Sequence, residues 1–182
     1  MMPMSEPRIP VLVLGLGNIL CGDDGAGVTA VHLLRRGHEL PPAVRVVDGG
    51  TLGLDLLALV AASDRVILVD AIRGDGPPGT LIRLAGDDVA PAVYDRLSFH
   101  QVGVADLLAG AALCERYPDE VVIVGVVPAI TGLQLGCTPA VAAQLPALVA
   151  GVVAELARLG IVAHPRAVRL DAVDDGARAL GL

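Results

Sequence analysis

No lysine occurs anywhere in the chain; all 13 basic residues are arginine. That absence excludes a phosphate-binding P-loop, which needs its lysine, and any Schiff-base chemistry. Tryptophan is missing too, and only two tyrosines and one phenylalanine are present, so the core must be built from Val, Leu, Ile and Ala. Cysteine is sparse: Cys21, Cys114 and Cys137 make an odd count with no C-x-x-C. This fits a reduced, cytoplasmic protein rather than a disulfide-bonded secreted one. Basic residues are outnumbered 13 to 20, for a net charge of −7. Nucleic-acid partners are argued against, because phosphate binding requires clustered positive charge. The apolar stretch 139–159 is broken by Gln144, Pro146, Glu155 and Arg158, so it reads as a helix of the fold and not as a membrane span. Arg8 precedes an apolar run, Ile9 to Leu16, but Gly17-Asn18 and Asp23-Asp24 follow in place of a small-residue cleavage pattern. A signal peptide is therefore not expected.

What is present suits one domain. In 182 residues, 54% are apolar and 18% charged. A chain of this size can bury about 70% of its unfolded surface, enough for a core without disulfides or a structural metal. Short β-branched runs mark strands at Ile9–Gly15, Val44–Asp48, Arg65–Ala71 and Val121–Val127. VLVL, VILV and VVIV are nearly continuous, as expected when both faces of a sheet are covered. Thr80–Leu84 alternates more and reads as an edge strand, with an antiparallel setting open to it. Helical spacing falls between the strands, at Gly25–Arg36, Leu52–Ala62, Val102–Tyr117 and Pro139–Leu159, the last kinked or restarted at Pro146. Alternating strands and helices predict an α/β fold: three α/β/α layers around a mostly parallel mixed sheet. Residues 1–160 form the expected domain, and 161–182 a C-terminal tail without an assigned structure.

The loop after the first strand is the richest in signal. It runs Gly15-Leu16-Gly17-Asn18-Ile19-Leu20-Cys21-Gly22-Asp23-Asp24-Gly25-Ala26-Gly27. A glycine turn before a helix can cradle phosphate, and Asp48, ending the second strand, sits where a ribose-binding acid would. The dinucleotide pattern, however, needs glycine where Leu20 stands, and two acids at the helix start repel a pyrophosphate. Asp23 or Asp24 could cap the following helix. Capping accounts for one acid, and a metal-ligand role is the other reading of the pair.

Asp70 directly follows VILV, at the carboxyl edge of a buried strand, where open α/β sheets bind ligands. If the first strand lies between the second and third, Asp24 and Asp70 meet in one crevice. The simpler reading of Asp70 is an acid satisfied by backbone N–H groups. Ser98-Phe99-His100-Gln101 precedes the third helix. His100 is the only one of the four histidines in such a position, although a cap or surface role is open to it. Two carboxylates and one imidazole suit a divalent transition metal with open coordination positions. H-E-x-x-H and G-x-S-x-G are both absent, so neither a built-in zinc protease nor an α/β-hydrolase serine is indicated. Cys21 reads as a small thiol rather than a nucleophile.

The order G-x-G-N-x-L-x-x-D-D-G-x-G, then V-D-A at Val69–Ala71, then S-x-H-Q at Ser98–Gln101, resembles the [NiFe]-hydrogenase maturation endopeptidases. Val124-Gly125-Val126-Val127-Pro128 and Gly136-Cys137-Thr138-Pro139 resemble that family's later segment, so the likeness covers roughly residues 9–155. It implies a five-stranded, phosphorylase/hydrolase-like α/β/α domain. It implies a protease that removes a C-terminal extension from the hydrogenase large-subunit precursor after nickel insertion. The family's metal ligands fall on Asp24, Asp70 and His100, with nickel supplied by the precursor and not held permanently. Many relatives carry Glu where Asp24 stands, and an acid where Ala129 stands. Because ligands must be deprotonated, binding should weaken as pH falls through the imidazole range, near roughly 6.5 for an ordinary histidine. The competing expectations are a nucleotide-binding α/β module and a chaperone that senses nickel without cutting.

Overall fold

The computed structural model describes residues 8–90 and 102–166. β1 (Ile9–Leu16), β3 (Val44–Gly50), β4 (Ser63–Ala71), β5 (Leu81–Ala85) and β6 (Glu120–Val126) form one sheet. Its order is β3-β1-β4-β6-β5, with every pairing parallel except the antiparallel β5–β6. The near-continuous apolar strands are explained by their neighbours. Val11, Val13, Ile67 and Val69 face one layer, built by α1 (Ala26–Gly37) and α5 (Leu145–Arg158). Leu12, Leu14, Val66 and Leu68 face the other, built by α2 (Leu57–Ala61) and α3 (Val102–Leu113). Each fully buried Leu or Val contributes about 1.5–3 kcal/mol, and the strands carry such residues on both faces.

The chain leaves β1 through α1 to β3 on one side, then crosses to β4 on the other side of β1. The condition on which a shared crevice depended, β1 lying between β3 and β4, is therefore met, and the carboxyl ends of β1 and β4 flank a topological switch point. β5 is the antiparallel edge that its alternation suggested. Its Arg83 donates from Nε to Glu155 Oε1 of α5 at 2.5 Å and from Nη2 to Oε2 at 3.1 Å. Arg158 adds a bond to the same Oε2 at 2.9 Å and another to Glu120 of β6. These bonds clamp α5 across the sheet edge.

Three helices depart from the expected bounds. The second opens as a 3-10 turn, Gly53–Leu56, before α2. The third stops at Leu113 instead of Tyr117 because Glu115 turns left-handed, at φ 54°. The N–H of Glu115 donates to Ala112 O (3.0 Å) and that of Arg116 to Ala111 O (2.9 Å), the Schellman pattern that ends a helix. The stretch 139–159 divides into α4 (Pro139–Ala142) and α5, which restarts with Pro146 in its first turn. Past α5, β7 (His164–Pro165) pairs antiparallel with β2 (His38–Glu39), and Arg166 N–H donates to Gly37 O at 2.7 Å. No helix of the described residues is long and apolar enough to cross a membrane.

Candidate active site

The loop after β1 is shaped by two glycines. Gly17 has φ +115°, and a Cβ there would sit 1.7 Å from the Asp24 carbonyl oxygen. No side chain fits where the loop folds back on its own acids. At Gly27 a Cβ would lie 2.1 Å from Val69 O and 2.5 Å from Leu16 O. The first turn of α1 is thus pressed directly onto the ends of β4 and β1. This contact carries the preceding 3-10 turn, Gly22–Gly25, to the end of β4, where Asp70 stands.

Asp24 and Asp70 consequently line one cleft, with Gly17, Gly50, Thr51, Leu56, Val104 and Leu107 forming most of the remaining wall. Both are buried, at 1% and 3% exposure. Asp24 Oδ2 accepts the Asn18 N–H at 2.8 Å, and Asp70 Oδ1 accepts the Ala71 N–H at 2.7 Å. Two buried carboxyl groups lining one cleft with mostly apolar and glycine walls are an arrangement suited to a cation. Among the described residues no third His, Cys, Asp or Glu completes a metal-binding cluster with them. His100, the expected third ligand, lies outside the described residues.

Neither Asp23 nor Asp24 caps a helix: no side-chain cap bond is made at Cys21 or at Gly25. Asp23 has a role that the sequence reading missed. It is fully buried, and its Oδ1 accepts Thr138 N–H at 2.6 Å. Its Oδ2 accepts Ala129 N–H (2.8 Å), Ile130 N–H (3.1 Å) and the Thr138 hydroxyl (3.0 Å). Backbone bonds reinforce the junction: Asp23 N–H to Ile130 O, Gly22 N–H to Gln134 O and Gln134 N–H to Leu20 O, at 2.9, 2.7 and 2.9 Å. The adjacent acids therefore divide the work, with Asp24 facing the cleft and Asp23 fastening the first loop to the segment after β6. The one available hint was Thr138 before Pro139, which resembles a helix cap; its hydroxyl instead turns to Asp23.

The other candidates fare differently. Both Asp48 oxygens are engaged, Oδ2 with His32 Nε2 at 2.8 Å and Oδ1 by Gly50 N–H at 3.0 Å, which disfavours ribose binding. Cys137, a cysteine beside this loop that the sequence did not single out as a candidate, has its thiol pushed up by burial and by the nearby Asp23 charge, the reverse of what a nucleophile needs.

A family profile for hydrogenase maturation proteases matches residues 28–155. The chain is 37% identical over 157 residues to the hydrogenase 2 maturation protease of Escherichia coli K12, spanning 86% of this chain and 96% of that one. It is 41% identical over 165 residues to the hydrogenase expression/formation protein HupM of Azotobacter chroococcum, spanning 89% and 78%. The solved structure of the hydrogenase maturating endopeptidase HybD from Escherichia coli matches with a TM-score of 0.82 at 37% identity, over 86% of this chain and 98% of that one.

Proposed function

Because this chain belongs to the hydrogenase maturation proteases, and is thereby a peptide-bond hydrolase, we propose that it removes the C-terminal extension of a nickel-loaded [NiFe]-hydrogenase large-subunit precursor. Nickel arrives with the precursor and is the recognition element. Asp24, Asp70 and neutral His100 complete its coordination and so draw the scissile peptide into the cleft. Water attacks the carbonyl carbon, the C–N bond breaks, and the extension leaves as a free amine. Activation of the water is available from the ion, which lowers the pKa of bound water, and from a site carboxylate acting as base.

The observation that carries this reading is the convergence of two buried carboxylates on one cleft at the switch point. His100 is included on the family resemblance and on chain length: it stands four residues before Val104 of the cleft wall, a span of at most about 14 Å. The three cysteines are free thiols, which supports a cytoplasmic setting.

Mass spectrometry of a nickel-loaded precursor incubated with the protein tests the reading. Wild type should release the C-terminal peptide, and Asp24→Asn, Asp70→Asn and His100→Ala should each leave the precursor intact. Undiminished cleavage by His100→Ala would remove the imidazole from the site. A precursor bound but uncut by wild type would favour the nickel-sensing chaperone.

A further inference from the structure

Twelve large apolar side chains are exposed among the described residues, and they are not spread evenly. Seven sit in just three loops, those leaving the carboxyl ends of β1 (Ile19, Leu20), β3 (Leu52, Leu54) and β6 (Ile130, Leu133, Leu135). The other five are divided among α1, β5, the end of α3 and the chain after α5. All three loops emerge at the sheet edge that holds Asp24 and Asp70. Concentration of exposed apolar surface around one cleft marks an interaction site, whereas scattered leucines do not.

Charge agrees with this. In a chain with 33 charged residues, Ile9 to Gly22, Gly49 to Leu54 and Val121 to Ala154 contain none. The parts of these three loops that carry the exposed apolar side chains are therefore uncharged, while the loop after β4 brings Arg73 and Asp75 to the same edge. The backbone there is also braced. The Leu20–Gln134 and Gly22–Gln134 bonds, with the Asp23 carboxylate, hold the first and third loops as one unit. Leu133 and Leu135, 91% and 81% exposed, stand on this fastened segment. Continuity with the cleft is direct, since an adjoining pocket that reaches Ile19 shares Gly17, Gly50 and Thr51 with it.

We propose that these three loops are the docking surface for the precursor, receiving an uncharged, apolar stretch of its polypeptide beside the scissile bond while the two acids face the ion. The inference rests on the reaction assigned above and divides the labour: the acids engage the ion and serve turnover, and the apolar loops add affinity for the polypeptide. A protein substrate needs a wider footing than a cleft between two carboxylates, and these loops are continuous with that cleft.

The test is steady-state cleavage of nickel-loaded precursor by Leu133→Ser/Leu135→Ser and, separately, by Leu52→Ser, with Leu113→Ser at the exposed end of α3 as control. The double variant should raise KM at least roughly tenfold and Leu52→Ser several-fold, with kcat within about twofold of wild type. The control should leave both constants unchanged. All these side chains are more than half exposed, so unfolding midpoints should match wild type. A KM within about twofold of wild type in the double variant overturns the docking surface. So does a wild-type dimer that the double variant dissociates without a change in KM, because the occupant is then a second copy. Failure of wild type to cut the precursor overturns the assigned reaction instead.

Discussion

Replacing Asp23 by Asn tests the division of labour between the neighbouring acids. The change is nearly isosteric, so packing is preserved and only hydrogen bonding and charge are altered. In the wild type one buried carboxylate accepts four bonds, three of them from backbone N–H groups of a distant segment. An Asn has one oxygen. Its better orientation directs that oxygen at Ala129, Ile130 and the Thr138 hydroxyl, and the amide NH2 then confronts Thr138 N–H. One buried donor is left unsatisfied, at about 1–3 kcal/mol, and the remaining bonds lose their charge assistance, at up to about 1 kcal/mol each. The opposite orientation strands two backbone donors and is worse. The sum is about 1–6 kcal/mol, centred near ~4 kcal/mol, a large share of a typical domain's stability. In urea, with a slope near 2 kcal/mol/M, a loss of ~4 kcal/mol lowers the midpoint by about 2 M. A midpoint shift below about 0.5 M with an unchanged slope would refute the claim that Asp23 is a structural hub.

Asp24→Asn should behave in the opposite way: its amide oxygen keeps the 2.8 Å bond from Asn18 N–H, so no donor is stranded. Denaturation should show stability within about 1 kcal/mol of wild type or above it, and the mass-spectrometric assay should show no cleavage. Gly17→Ala should cost about 2 kcal/mol or more, and its cleavage rate should fall further than the folded fraction does, because the Asp24 backbone must move to admit the methyl group. Glu155 is held below the ordinary glutamate range chiefly by its hydrogen bond from Arg83, against the opposing effect of burial. A depressed folded-state pKa contributes stability above the unfolded value, about 4.3, that is lost as pH falls through the folded value. The destabilisation of Glu155→Gln should therefore be full at neutral pH and vanish in acid, as read from urea midpoints at both.

The strands were legible because β-branched runs covered on both faces leave a periodicity that little else produces. The shared crevice for Asp24 and Asp70 was legible only on the condition that β1 lies between β3 and β4; that order is present, and one cleft contains both acids. Local features written in the backbone were less visible. Glu115 ends α3 in a left-handed conformation without the glycine that usually announces it. The tandem acids could not be told apart from spacing, since cap and ligand demand the same residue types in the same place. What separates them is a set of donors supplied by Ala129, Ile130 and Thr138, and no window of local sequence reveals those partners. His100 entered through family resemblance and stands outside the described residues, so its role rests on the proposed experiment.

The Asp23 junction also has a consequence for how the molecule is made. Its acceptor oxygens wait for donors 106 to 115 residues downstream. During synthesis β1, α1, β3 and β4 all emerge before any of those donors exists, and the first loop can remain hydrated until residue 138 has left the ribosome. At roughly 5–20 residues per second, that interval lasts about 5–25 s. The loop that carries Asp24 therefore gains these bonds only after the segment following β6 has been made, and a nascent or truncated chain lacking that segment would hold Asp24 without the brace. The brace behind Asp24 is thereby among the last parts of the domain that synthesis supplies.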